Sequence, residues 1–172
     1  CIYIDNSFSM TAEGKDGIAL ESAKQKAISI VNASNPDIKF AILTNDLSEK
    51  HYRFYSKQEI INLITDVAES YRQTNLSTIV LRFNNLTENM LDERERRIYL
   101  ISDFQKVSSD LSNLKTDSLS TYNFVPVVIN TVNNIYIDTC WYETPAHHVT
   151  QLEEMNVRIV NRSKEEYYAV PV

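Results

Sequence analysis

The chain has 172 residues, 43% apolar and 23% charged, a balance that builds a sizeable buried core and excludes a disordered polymer. Its net charge of −6, with no basic block, argues against nucleic acid as the main partner. Two glycines in the whole chain exclude a Gly-rich phosphate loop, and neither G-x-G-x-x-G nor G-x-x-x-x-G-K occurs.

The first element is Ile2–Ile4, a short buried strand that stops at Asp5, Ser7 and Ser9 in the pattern D-x-S-x-S. After a polar loop, Asp16 is expected to cap a helix of about 17 residues, with Leu20, Ala23, Ala27 and Ile30/Val31 at helical spacing. IKFAILTND reads as the next strand, apolar until its carboxyl end. HYRFYS alternates as an exposed edge strand, with His51 facing solvent. Ser56 and Glu59 form an S-x-x-E capping box ahead of a helix whose apolar face is Ile60, Leu63/Ile64 and Val67.

A third helix begins near Asn75, with Leu76, Ile79/Val80, Phe83 and Leu86 as its stripe. The run DERERR reads as a solvated turn before RIYLISDF, the clearest buried strand. A Ser-rich weak helix, Ser108–Leu119, and the strand YNFVPVVI follow. Strands alternating with amphipathic helices predict an α/β fold, a Rossmann-like, doubly wound and mostly parallel sheet covered on both faces. Near Thr131 the pattern changes, and IYIDTCWYE, MNVRIVN and YYAVPV follow with no helical periodicity between them. The expected division is an α/β domain over residues 1–131 and, over 132–172, a β-rich segment that starts a β-sandwich or forms a β-extension.

Cys1 and Cys140 are the only cysteines, too few for a disulfide framework or a zinc site, and each reads as a small apolar strand residue. No segment approaches ~18 continuous apolar residues and no signal peptide is read, so the chain itself is expected to make no membrane contact. Because it begins in mid-strand without methionine, the chain is expected to be a piece cut from a longer protein.

In an open parallel sheet, ligands bind beyond the carboxyl ends of the strands, where the winding reverses. Two strands end in an acid there, at Asp5 and Asp103. Thr74, just ahead of the third helix in RQTNLS, reads either as a residue at the helix N-cap or as a hydroxyl at the rim of Ser7 and Ser9. Alone, D-x-S-x-S is equally turn chemistry, since Asp and Ser bond readily to nearby backbone groups. Together, three hydroxyls and two carboxylates form a set of hard oxygen donors suited to Mg²⁺ (or Mn²⁺ or Ca²⁺) rather than zinc or copper. Two carboxylates roughly neutralise such an ion, and the neutral hydroxyls leave it electrophilic enough to attract a further carboxylate from a partner.

The segments D-N-S-F-S after the first strand, T-N-L at the start of a later helix and S-D at the end of a central strand resemble a von Willebrand factor A domain. In that family the three segments form the metal-ion-dependent adhesion site. The resemblance covers about residues 1–130 and implies that Ser7, Ser9 and Thr74 supply hydroxyls while Asp5 and Asp103 bind mainly through water. More narrowly, DNSFSM, LTND, YLISDFQ and NNIYIDTCWYE resemble the membrane-anchored von Willebrand A proteins of Bacteroidetes, related to the BatA (aerotolerance-operon) group. That implies a parent protein with two membrane helices before this domain and β-rich domains after it, holding the domain on the periplasmic side of the cell envelope. No further helix–strand–helix follows YNFVPVVI, so the sheet is expected to be one strand short of a full A domain.

The expected function is a metal-dependent protein-binding module, adhesive or scaffolding, whose ion takes an Asp or Glu from a protein partner. Phe8, Met10 and Phe104 are expected to add contact area at the rim. One alternative is a phosphotransfer hydrolase of the haloacid dehalogenase type, which also sets an Asp after its first strand. That chemistry needs a second Asp two positions on, where this chain has Ser7, and no lysine for the phosphate follows. No G-x-S-x-G elbow or Ser–His–acid arrangement occurs either, so an enzyme is not expected. The other alternative is a scaffold domain with a vestigial, metal-free site. His147–His148 read as a polar loop rather than a metal pair, because adjacent extended residues point to opposite faces. Trp141 among tyrosines reads as a core anchor of the second segment in preference to a carbohydrate or partner surface. Asn45 and Asp46 end the second strand near the same rim and read either as residues that shape the site or, the preferred reading, as turn formers.

Overall fold

Three apolar residues in a row leave no polar face, and the strand formed by Ile2–Ile4 is buried at every position. The computed structural model describes residues 1–14, 17–88, 95–105, 109–116, 118–129, 135–142 and 154–161. In chain order the elements are β1 (Ile2–Ile4), β2 (Glu13–Gly14), β3 (Gly17–Ile18), α1 (Ala19–Ala33), β4 (Ile42–Leu43), α2 (Lys57–Thr65), α3 (Leu76–Glu88), β5 (Arg96–Ser102), β6 (Ser120–Pro126), β7 (Ile135–Tyr142) and β8 (Met155–Asn161). Single 3-10 turns stand at Phe8–Thr11, Glu49–His51 and Leu111–Asn113. The chain divides into two units, Cys1–Asn130 and Thr131–Val172.

The first unit is a mixed α/β, Rossmann-like fold around a four-stranded sheet of order β4-β1-β5-β6 with every pair parallel. Alternation along the strands sorts the core into two layers. Ile2, Ile4, Ile42 and Ile101 join Leu20, Ala23, Ala27 and Val31 of α1 and Ile60 and Ile64 of α2. The intervening Tyr3, Leu43, Ile98 and Leu100 join Leu76, Ile79, Val80 and Phe83 of α3. The chain leaves β1 for β4 on one side and returns to β5 on the other, so the winding reverses between β1 and β5. The carboxyl ends of those two strands carry Asp5 and Asp103. Among the described residues no helix is long and apolar enough to cross a membrane.

Helix α2 opens on the expected capping box, with the Ser56 N–H (2.8 Å) and hydroxyl (2.6 Å) both donating to Glu59 Oε2. Helix α1 starts differently. Ile18 stands at its N-cap with no side-chain bond, and the Ala19 N–H donates to the Ala12 carbonyl at 3.0 Å. The backbone before the short β2–β3 hairpin thus supplies the acceptor expected from Asp16, which lies outside the described residues. Gly14, in that hairpin, bridges Ile129, and a Cβ on it would meet the Val128 carbonyl oxygen at 2.6 Å. Gly14→Ala is expected to lower stability by about 1 kcal/mol, since the hairpin must shift away from that carbonyl; the midpoint of urea unfolding reads it.

Several expectations are corrected. Of IKFAILTND only Ile42–Leu43 enters the sheet as a strand, because a turn closes at once, with the Leu47 N–H on the Thr44 carbonyl at 3.1 Å. HYRFYS is no edge strand. It starts at the end of a 3-10 turn and touches the strand region through a single bridge, Phe40 to Tyr55. His51 is 4% exposed rather than solvent-facing, and Met10 is fully buried, so it offers a partner no surface. Between Ser108 and Leu119 the described residues hold a 3-10 turn at Leu111–Asn113 in place of a helix.

The second unit contains an antiparallel β7–β8 pair. A bulge at Asp138 shifts the register so that Ile137/Ile159, Cys140/Val157 and Tyr142/Met155 share one face. Trp141 pairs with Asn156 on the other face and is 44% exposed, which corrects its expected role as a core anchor. YYAVPV and His147–His148 lie outside the described residues.

Candidate cation site at the carboxyl end of the sheet

Asp5 is the first residue past β1 and still donates its N–H to the Ile101 carbonyl of β5, at 2.9 Å. That bond fixes the carboxylate in the crevice between the two strands, where it is 3% exposed. Its Oδ1 accepts from the Ser7 N–H (3.0 Å) and from Asn45 Nδ2 (2.8 Å), and its Oδ2 from the Ser102 hydroxyl (2.6 Å). The chain then tightens into the Phe8–Thr11 turn, closed by the Met10 N–H on the Ser7 carbonyl at 2.9 Å. With Met10 buried as its anchor, the turn sets the Ser7 and Ser9 hydroxyl oxygens 3.1 Å apart and leaves Phe8 71% exposed between them.

Thr74 reaches the rim through Asn45. Its N–H donates to Asn45 Oδ1 (3.1 Å) and its hydroxyl to the Asn45 carbonyl (3.0 Å). The side chain that binds at the start of α3 is instead that of Asp110, whose two carboxylate oxygens accept from the Ser77 N–H and hydroxyl. A carboxylate there also complements the positive end of the helix.

Asp103 follows β5. Its Oδ1 lies 3.4 Å from the Ser102 hydroxyl and 3.4 Å from the Gln105 nitrogen. Phe104 holds a left-handed backbone (φ +50°) while its ring packs on Phe124 at a centroid distance of 5.6 Å. Asp103 Oδ2 is buried and meets no donor among the described residues. A buried, unpaired carboxylate oxygen is costly and calls for a cation or ordered water.

The structure therefore brings the five sequence-predicted residues to one rim by short relays. Ser102 joins Asp5 to Asp103, and Asn45 joins Asp5 to Thr74. Among the described residues no hydrogen bond links Ser7 or Ser9 directly to Thr74 or Asp103. Asn45 and Asp46 join the network through their side chains, which favours the site-shaping reading over turn forming alone. Asn45 is buried and also accepts from the Tyr3 hydroxyl at 3.0 Å. Burial, and next the Asp5 carboxylate, push the Tyr3 pKa well above its ordinary value, so Tyr3 stays a neutral donor. Asp46 accepts from the Ser70 hydroxyl, Asn6 Nδ2 (2.8 Å) and the Thr44 hydroxyl (3.4 Å). Burial pushes its pKa up, but those hydrogen bonds outweigh it and hold the carboxyl below its ordinary range. With the Ser70 N–H on the Asn6 carbonyl (2.7 Å), Asp46 ties the loop before α3 to the loop after β1.

The donor set fits a hard divalent cation. Neighbouring corners of an octahedron with metal–oxygen distances of ~2.1 Å lie ~3.0 Å apart, close to the 3.1 Å between the two serine hydroxyls. Hydroxyls and carboxylates are the oxygen ligands that Mg²⁺, Mn²⁺ and Ca²⁺ prefer. A separate groove of about 700 Å³, bounded by Gln25, Lys26 and Ile30 of α1 and by Tyr99 and Phe124, shares none of the five residues. No protein-family model matches the chain, and no curated protein matches it.

Proposed function

We propose that the first unit is a von Willebrand A-type domain acting as a divalent-metal-dependent protein-binding module. The observation that carries this reading is the buried Asp103 Oδ2, a carboxylate oxygen without a donor among the described residues, on the network that leads through Ser102 to Asp5. Asp5, Ser7, Ser9, Thr74 and Asp103 would hold the ion, Mg²⁺ or its substitutes Mn²⁺ and Ca²⁺. When bound, the ion would supply an electrophilic centre for an Asp or Glu of a protein partner. The chain's own residues fix the donors: the Phe8–Thr11 turn sets the serines, and Asn45 sets Thr74 against Asp5. Phe8, exposed between the two serines, gives the partner an apolar contact. The module binds and does not turn over a substrate. On the same resemblance, its parent protein is anchored in the cell envelope with this unit on the periplasmic side.

Calorimetric titration of the chain with Mg²⁺ and Mn²⁺ tests the reading. One ion per chain is expected, with affinity weakened at least ~10-fold by Ser7→Ala or Ser9→Ala. No metal heat, or serine variants that bind as the wild type does, would overturn it.

A further inference from the structure

Asn45 engages all of its polar groups at once. Its Oδ1 accepts from the Tyr3 hydroxyl (3.0 Å) and the Thr74 N–H (3.1 Å), while its Nδ2 donates to Asp5 Oδ1 (2.8 Å). Its backbone carbonyl accepts from the Thr74 hydroxyl (3.0 Å) and its N–H donates to Asn6 Oδ1 (3.0 Å). One buried amide thus joins the carboxylate after β1, the loop before α3 and a tyrosine of the central strand.

Two consequences follow from donor and acceptor inventories. A threonine hydroxyl has one proton, and Thr74 commits it to the Asn45 carbonyl, so the lone pairs of Thr74 Oγ1 are what remains to offer. That is the polarity a cation requires. The amide itself has one workable orientation. Reversing it would set NH₂ against the Tyr3 and Thr74 donors and a carbonyl oxygen against the Asp5 carboxylate. The Thr74 N–H, which can only donate, and the Asp5 carboxylate, which can only accept, therefore fix the direction of the amide, and the buried Tyr3 hydroxyl braces it with a second bond to Oδ1.

We propose that Asn45, braced by the Tyr3 hydroxyl, is a positioning residue of the cation site: its side-chain amide holds the Thr74 N–H and keeps Asp5 in place, so that Thr74 Oγ1 stands beside Asp5 as an acceptor. This rests on the metal-site reading above. Aspartate would not substitute, because it has no N–H to give Asp5 and would bring a like charge against it.

The test is Mn²⁺ titration of the full chain by calorimetry, with the metal-free melting temperature recorded for each variant. Asn45→Ala is expected to weaken Mn²⁺ binding ~10–100-fold. Tyr3→Phe, which keeps the ring and loses only the hydroxyl, is expected to weaken it ~3–10-fold. Thr74→Ser, with its hydroxyl kept, is expected to bind within about threefold of wild type, unlike Thr74→Val. In the Thr74→Val background Asn45→Ala is expected to cost clearly less than it does alone, because one of the two groups it positions is gone while Asp5 remains. A purely structural role would lower the melting temperature yet cost the same affinity in both backgrounds, and that result overturns the proposal. So does a Tyr3→Phe variant that binds Mn²⁺ as wild type does, which keeps the test decisive should Asn45→Ala fail to fold. A wild-type chain that takes up no Mn²⁺ overturns the metal-site reading and this inference together; a wild type that binds beside unaffected variants overturns the inference alone.

Discussion

Replacing Asp5 with alanine is expected to abolish metal uptake, a loss of at least ~100-fold in affinity, and to lower stability by about 3 kcal/mol. Both effects follow from one carboxylate with three internal donors. Its removal leaves the Ser7 N–H, Asn45 Nδ2 and the Ser102 hydroxyl facing a buried gap, and each unsatisfied group costs about 1–3 kcal/mol, less where it finds water. It also removes half of the negative charge that would balance a divalent ion.

Asp5→Asn separates the two losses. The amide keeps an acceptor for Asn45 or Ser102 but carries no charge, so about half of the stability loss should return while metal affinity stays lost. Urea unfolding and Mg²⁺ titration on the same samples read both quantities. If Asp5→Asn binds Mg²⁺ as the wild type does, the carboxylate is a structural acceptor only.

What was legible in the sequence divides by distance along the chain. Helices α2 and α3 were legible because a single apolar stripe and, for α2, a four-residue capping box specify them locally. Strand β1 and the Ile98–Ile101 stretch of β5 were legible as apolar runs inside the sheet. Ser7 and Ser9 stood out because one tight turn brings them together. Tyr3 and Asp110 carried no such signal, and Asn45 only a weak one at the rim, since their side-chain bonds cross 42, 33 and 40 residues and no local pattern encodes such a meeting. The misread edge strand has the opposite cause. The alternation in HYRFYS is real, but it comes from burying His51 and Tyr55 at separate places, not from one strand face. IKFAILTND looked long because its apolar residues continue, yet pairing is limited by the polar turn that Asn45 and Asp46 need for their side-chain bonds.

Asp46→Ala is expected to destabilise the fold by about 2–3 kcal/mol at neutral pH, in a way that fades in acid. At neutral pH the ionised carboxylate accepts from Ser70, Asn6 and Thr44, and so fastens the loop before α3 to the end of β4. Asp46 is only half-buried, so solvent tempers each bond and the sum stays below that of a fully enclosed network. Because the folded-state pKa is held below the ordinary carboxylate range, the charged form is favoured more in the folded than in the unfolded chain. That stabilisation is present above the unfolded pKa of ~3.9 and is lost as pH falls through the lower folded value. The gap in stability between wild type and Asp46→Ala should therefore be constant from pH 7 down to about pH 5 and narrow below about pH 4. Urea unfolding of both proteins at pH 7, 5 and 3 measures it. A gap as wide at pH 3 as at pH 7 would mean that the side chain acts through packing alone, and that its charge does not hold the loop.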